Sequence, residues 1–160
     1  MVTCRGPRKN ASAMVRRWPV ERWALVARGE VARGRQVVVT AGPGERGLAA
    51  EVARRAGGGT AVIATDRLLE LAGLVAGAGR VACGDTGVAH LATALGRPSV
   101  LLFGPTPPAR WGPPPGPRHR VLWAGRTGDP LGDRPDPGLL EIGPPDVLTA
   151  LDALPAAAAA

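Results

Sequence analysis

The stretch from Gly84 to Pro113 most constrains the fold, because it joins a tight loop, a short helix, a buried strand and a Gly/Pro-rich loop. Val81–Cys83 before it are apolar and β-prone, so a strand leads into the loop. Asp85 and Thr86 are good N-cap residues for the helix. Ser99–Phe103 is an apolar run of strand length. The apolar positions that share one face of the helix are Val88, Leu91, Ala92 and Leu95.

The rest of the chain repeats this alternation of strand and helix. Such an order predicts an α/β fold, a Rossmann-like parallel sheet with helices on both faces. The predicted strands are Met1–Cys4, Gln36–Ala41, Thr60–Ala64, Val81–Cys83, Ser99–Phe103 and Arg120–Trp123. The predicted helices are Pro19–Gly34, Glu45–Ala56, Asp66 to about Gly77, and Pro144–Leu154. Two Gly/Pro-rich stretches are predicted to be loops: 104–120, held in place by Trp111, and 124–143, on the surface.

The loop after Cys83 has the features of an anion site. The first N–H groups of a helix have no partner within the helix, and the helix dipole favours negative charge there. Gly87 lets a ligand approach the backbone closely. The expected ligand is a phosphate or diphosphate. Neither the G-x-G-x-x-G fingerprint nor a P-loop is present, so a dinucleotide or an NTPase is not indicated.

A parallel sheet would bring further residues to this loop. Ligands of such sheets bind at the carboxyl ends of the strands, and those ends share one edge. We therefore expect Gly42–Glu45, Asp85–His90 and Gly104–Thr106 to surround one crevice.

The charge of the chain is uneven. Residues 1–55 carry twelve Arg or Lys and four Glu, a net charge of +8, whereas the whole chain has a net charge of +7. A solvated surface, an anionic substrate and an anionic membrane surface are three explanations of the basic third. Nucleic acid is a fourth, but the chain has one Phe, four Trp and no Tyr to stack on bases. We predict no nucleic-acid partner.

The two cysteines, Cys4 and Cys83, suggest neither a disulfide framework nor a metal site. Cys83 is expected to be a small buried hydrophobe. No signal peptide or apolar run of membrane-spanning length is evident. The predicted location is the cytoplasm, with peripheral contact at the inner face of the plasma membrane as an alternative.

Several motifs together resemble glycosyltransferase family 9, the ADP-heptose:lipopolysaccharide heptosyltransferases and their relatives. The resemblance runs from about Ala11 to about Leu154. The motifs are Asp85-Thr86-Gly87-x-x-His90-Leu91-Ala92, Ala94-Leu95-Gly96-x-Pro98, Leu102-Phe103-Gly104-Pro105-Thr106, Trp111-Gly112-Pro113, Arg17-Trp18-Pro19-x-Glu21-Arg22-Trp23 and Thr40-Ala41-Gly42-Pro43-Gly44-Glu45.

The resemblance implies a GT-B glycosyltransferase, in which the active site lies between two Rossmann-like domains. This chain is similar to the C-terminal domain alone: an irregular segment (1–15), a domain that binds the nucleotide-sugar donor (16–154) and a disordered tail (155–160). The implied reaction is inverting transfer from an ADP-heptose type donor to a lipopolysaccharide-core or other envelope glycan. The base of the family is an Asp of the N-terminal domain, so we expect no catalytic residue here, no efficient transfer by this chain alone, and neither metal nor cofactor.

The resemblance also implies donor-binding residues: Ser12, Arg16, Glu45, Asp85, Thr86, Gly87, His90 and Thr106. Arg16 stands where the family usually has a phosphate-binding Lys. Arg8-Lys9-Asn10 lacks the His, Pro and Gly of the family's phosphate loop, although Ser12 keeps a hydroxyl.

Four of these residues have alternative interpretations. Glu45 contacts the donor ribose or only stabilises a helix N-terminus, and His90 lines the donor pocket or bonds a backbone carbonyl. Asp85 caps the helix, which we favour, or binds a sugar hydroxyl or an ammonium-like partner. Thr106 reaches the sugar or stabilises its turn. His119 is expected to be solvated.

Two other functions compete with the heptosyltransferase-like donor domain. One is a non-catalytic Rossmann-like binding module, which the divergent 8–10 loop favours. The other is a GT-B transferase fragment that uses a UDP sugar.

Overall fold

The computed structural model describes residues 2–3 and 14–156, with side chains from Met14 onward. Ser12 and the divergent Arg8–Asn10 loop therefore lie outside the described residues. The strands are β1 Val2–Thr3, β2 Val37–Ala41, β3 Thr60–Ala64, β4 Val81–Gly84, β5 Ser99–Leu102 and β6 His119–Leu122. The helices are α1 Val20–Ala32, α2 Arg46–Ala56, α3 Leu68–Ala76, α4 Gly87–Ala94, α5 Pro108–Trp111, α6 Pro137–Glu141 and α7 Pro144–Asp152.

The six strands form one sheet in the order β3-β2-β1-β4-β5-β6, and each neighbouring pair is parallel. The chain builds outward from β1 to β3, returns to the middle at β4 and then builds outward in the other direction. This is a Rossmann-like arrangement, and the predicted fold class is confirmed.

Both faces of the sheet are covered by helices, in agreement with the prediction. One face carries α1, α2 and α7, which pack on Val39, Ala82 and Val100. The other carries α3 and α4, which pack on β4 and β5 through Cys83 and Leu101. Successive side chains of β4 and β5 alternate between the two faces, as the pleat requires.

Cys83 is fully buried, as expected from its apolar surroundings. Burial raises the pKa of its thiol far above the ordinary value, and the nearby Asp85 carboxylate adds to the effect. Of the helices that the structure describes, none combines the length and the apolar character needed to span a bilayer.

A polar contact between the two ends of the domain fixes the start of α1. The buried Trp18 indole N–H donates to the carbonyl oxygen of Ile142 at 3.0 Å. Arg22 donates to the carbonyl oxygens of Leu140 at 2.6 Å and Ile142 at 2.8 Å. Trp18 also packs edge-on against Trp23, with ring centroids 4.8 Å apart. These contacts join residues 14–23 to α6 and the turn after it.

Both predicted loops contain short helices that the sequence analysis missed. The 104–120 stretch includes α5, and its Trp111 is 53% exposed, so the prediction that Trp111 pins this loop is wrong. The 124–143 stretch includes α6, whose Leu139 is buried, so it is not purely a surface loop. The apolar face of α4 is shorter than the sequence predicts. Leu95, expected on that face, follows the last residue of the helix and is 38% exposed.

Leu71 and Leu69 of α3 provide a matched test of how the α3/α4 face packs on the sheet. Leu71 is 3% exposed and Leu69 is 85% exposed. Leu71→Ala should lower the free energy of unfolding by about 2–5 kcal/mol, because it removes buried methyl groups and leaves a cavity. Leu69→Ala should change it by less than about 0.5 kcal/mol. Urea unfolding of both variants measures the difference, and equal losses would show that α3 does not pack as described.

Candidate functional site

The candidate site lies at the carboxyl edge of the sheet, around β1 and β4. These strands are neighbours, but the chain continues from them toward opposite ends of the sheet. Connections that leave a parallel sheet in opposite directions open a crevice between them. The segment that reaches Arg16 follows β1, and the loop with Asp85 follows β4.

The N-terminus of α4 faces this crevice with an unsatisfied hydroxyl. Thr86 is the N-cap residue, but its side chain makes no capping hydrogen bond. Its Oγ1 atom is buried and has no hydrogen-bond partner among the described residues. Gly87 follows and is exposed, so the backbone of the first turn is open to approach. A buried hydroxyl beside open helix N–H groups suits an oxygen-rich anion.

Asp85 faces a cation across the crevice. Its carboxylate Oδ2 lies 3.9 Å from Arg16 Nε, and Asp85 is 8% exposed. Burial raises the pKa of Asp85, and the attraction of Arg16 and of His90 opposes this only in part. The prediction that Asp85 caps α4 is wrong, because Thr86 holds the N-cap position. The alternative prediction, a cationic partner, describes the observed contact with Arg16.

Arg16 retains binding capacity despite this partner. Its Nε atom is buried and forms no hydrogen bond within the described residues, since 3.9 Å is beyond hydrogen-bond distance. The main-chain oxygen of Arg16 packs beside Gly84, where a Cβ atom would lie 3.6 Å from it. The segment is thus held against the end of β4, and the Arg16 guanidinium lies beside Asp85.

Glu45 occupies the corresponding place after β2. It is the N-cap residue of α2 and is 8% exposed. Its carboxylate accepts a hydrogen bond from the Gly42 N–H at 3.4 Å and lies 3.6 Å from Arg17 NH2. The helix-start position agrees with the sequence analysis, whereas contact with a ribose stays a prediction. Arg17 is a contact that the sequence analysis did not identify.

The loop after β5 forms the third part of the edge. Thr106 is buried, 6% exposed. The Trp123 indole N–H is shared between the carbonyl oxygens of Gly104 at 3.2 Å and Arg126 at 3.1 Å. Asp136 packs beside Gly104 and was missed, although an Asp-Pro pair is a recognisable start of a helix.

The two histidines have different environments. His90 lies in the first turn of α4, is exposed, and lowers the pKa of Asp85 electrostatically. His119 starts β6, at the opposite edge of the sheet, where its Nδ1 is 2.9 Å from Ser99 Oγ. Burial, with a contribution from Arg118, lowers the pKa of His119. The prediction that His119 is simply solvated is therefore wrong.

The described candidates thus share one edge, with cations and carboxylates interleaved. Arg16 faces Asp85, Arg17 faces Glu45, and His90 lies near Asp85. In the part of the chain from Met14 to Ala156, no three His, Cys, Asp or Glu side chains are grouped so that they could hold a metal ion. The edge offers hydrogen-bond donors for an anion.

In a comparison of the sequence with protein families, the profile of glycosyltransferase family 9 (heptosyltransferase) matches residues 8–136. The chain belongs to glycosyltransferase family 9. A comparison with curated proteins finds no match.

Solved structures of this family share the fold. ADP-heptose lipopolysaccharide heptosyltransferase II of E. coli has a TM-score of 0.77 and 26% identity, over 95% of this chain and 45% of its own. E. coli heptosyltransferase WaaC with ADP has a TM-score of 0.74 and 24% identity, over 94% of this chain and 42% of its own. The family 9 protein of Veillonella parvula DSM 2008 has a TM-score of 0.77 and 22% identity, over 94% and 44%. This chain spans a little under half the length of each.

The raised pKa of Asp85 predicts a pH-dependent effect of Asp85→Asn. Because the folded-state pKa exceeds the unfolded one, the folded state holds the proton more tightly. The contribution of Asp85 to stability is therefore most favourable below its unfolded pKa of about 3.8 and is lost as pH rises through the folded pKa. Asp85→Asn should thus be more favourable, relative to wild type, at pH 7 than at pH 3.5.

Urea unfolding of both proteins at the two pH values measures this difference. Asp133→Asn, at an exposed carboxylate, is the control. A difference in free energy between wild type and Asp85→Asn that stays constant with pH would contradict the raised pKa.

Proposed function

We propose that this chain binds the donor of a heptosyltransferase-like reaction, a nucleoside-diphosphate sugar of the ADP-heptose type. One observation carries the proposal. Among the residues that the structure describes, Thr86 Oγ1, at the N-terminus of α4, and Arg16 Nε, beside Asp85, are both buried without hydrogen-bond partners. Buried polar atoms are nearly always paired in folded proteins, so two that share one crevice indicate a ligand.

A diphosphate would supply hydrogen-bond acceptors to both groups. Its oxygens accept hydrogen bonds from the Thr86 hydroxyl, from the N–H groups that begin with Gly87, and from the Arg16 guanidinium. The same contacts would stabilise the charge that develops on the leaving nucleoside diphosphate during transfer. Arg16 would then exchange part of its interaction with Asp85 for the phosphate.

The other predicted contacts belong to the same proposal. Glu45 would accept from the ribose hydroxyls, and Thr106 would contact the sugar. His90, exposed in the first turn of α4, would meet the phosphate or the sugar. Ser12 keeps its predicted phosphate contact, although it lies outside the described residues. Asp85 would orient Arg16 and accept from a sugar hydroxyl.

Adenine is the base we favour, because one of the similar structures is WaaC with ADP. The proposed acceptor is a lipopolysaccharide-core or other cell-envelope glycan, brought by an N-terminal domain as the family resemblance implies. We place this activity in the cytoplasm, with the basic residues of the first third meeting the anionic inner membrane surface. Selective binding of UDP would instead favour a UDP-sugar transferase.

Arg16→Ala should weaken ADP binding roughly 10- to 100-fold, because a charge-assisted hydrogen bond to the diphosphate is lost. Arg33→Ala is the matched control, since Arg33 pairs with Asp152 on the α1/α7 side at 2.9 Å. Calorimetric titration of the purified chain with ADP and with UDP measures both effects. Equal affinities in the two variants would contradict the proposed phosphate contact.

His90→Ala should weaken ADP-heptose binding about fivefold, because one hydrogen bond to the donor is lost. His119→Ala should leave the affinity unchanged, because His119 lies at the other edge of the sheet. Calorimetric titration of both variants with ADP-heptose measures the two affinities. If a folded wild-type chain binds neither nucleotide, the donor-site proposal fails and the non-catalytic module is favoured.

A further inference from the structure

A buried carboxylate, Asp136, lies where three segments of the chain meet near the proposed donor site. Asp136 is 5% exposed. Its Oδ1 accepts a hydrogen bond from the Leu139 N–H at 2.9 Å and thereby caps α6. Because its own helix fixes this side chain, Asp136 offers a rigid support to the segments that pack on it.

The first of these segments carries Arg16. The backbone N–H of Asp136 donates to the carbonyl oxygen of Val15 at 3.0 Å. Val15 is itself buried, 3% exposed, and precedes Arg16 directly. The hydrogen bond therefore fixes the peptide unit from which the Arg16 side chain extends toward Asp85.

The second segment is the loop after β5. A Cβ atom on Gly104 would lie 3.4 Å from the Asp136 Cβ, so the loop backbone packs directly on this side chain. Gly128 donates from its N–H to the Pro105 carbonyl oxygen at 3.0 Å, and a side chain at Gly128 would collide with Asp136 Oδ2. Asp136 thus constrains the two residues that precede Thr106.

We propose that Asp136 is a positioning residue for donor binding, which holds the backbones of Arg16 and of Gly104–Thr106 in their binding arrangement. This inference rests on the proposed function. Asp136 acts through the two segments that it joins. By capping α6, its side chain holds these segments in their relative positions.

Three variants test the role. Asp136→Ala removes the cap and should weaken ADP binding about tenfold, whereas Asp136→Asn keeps an acceptor oxygen for Leu139 and should restore most of the affinity. Asp146→Ala is the control, because Asp146 accepts from the Gly143 N–H at 2.7 Å at the start of α7. It should lower thermal stability but leave the Kd for ADP within about twofold. A Kd that is unchanged in Asp136→Ala would overturn the proposal.

A double-mutant cycle separates positioning from general destabilisation. In an Arg16→Ala background, Asp136→Ala should weaken ADP binding much less than in wild type, because the route through Arg16 is already lost. Full additivity of the two effects would overturn the route through Arg16. If Asp136→Ala does not fold, Asp136→Gly replaces it under the same criteria, since Gly removes the carboxylate but costs less stability than Ala at an N-cap position.

Amide hydrogen exchange without ligand keeps this inference distinct from the proposed function. Asp136→Ala should speed exchange in residues 14–17 and 104–106 by about tenfold, and Asp146→Ala should not. Unchanged exchange overturns the positioning role whether or not ADP binds. If wild type binds neither ADP nor UDP, the donor proposal fails, and faster exchange would still establish that Asp136 holds the two segments.

Discussion

The hydrogen bond from the buried Trp18 indole to the Ile142 carbonyl is the contact on which the rest of the domain depends. It joins the start of α1 to the end of α6, far apart along the chain, and Arg22 reinforces it from the same side. A buried indole N–H without a partner would be costly, so the two segments are obliged to meet. Once they do, the residues just before Trp18, among them Arg16, are confined to the carboxyl edge of the sheet.

The electrostatics of that edge follow from burial as much as from charge. Arg16 and Arg17 each lie near a buried carboxylate, at 3.9 and 3.6 Å, so neither pair is in tight hydrogen-bonded contact. Burial still dominates at Asp85, whose pKa is raised despite the neighbouring Arg16. A crevice with loosely paired cations can accept an anion by small rotations of long side chains, without breaking a strong ion pair.

The fold could be predicted from the sequence because strands and helices of ordinary length have a readable period. The location of the candidate site could be predicted as well. Parallel strands align their carboxyl ends, and this brings Glu45, Asp85 and Thr106 to one edge of the sheet. The features that the sequence did not predict have different causes. α5 and α6 are too short to show a period, so only their Pro residues mark them. The pairing of Asp85 with Arg16 depends on the neighbouring positions of β1 and β4, which no local pattern specifies.

The two apolar layers of the sheet differ in size, and this has a dynamic consequence. Within the described residues, twenty buried hydrophobic residues form the layer of α1, α2 and α7, and nine form the layer of α3 and α4. Regions with fewer buried apolar contacts open at a lower free energy. The helix whose N-terminus faces the crevice therefore belongs to the more easily opened side of the domain. A ligand at that N-terminus would raise the cost of local opening there, so occupancy and the rigidity of this layer would increase together.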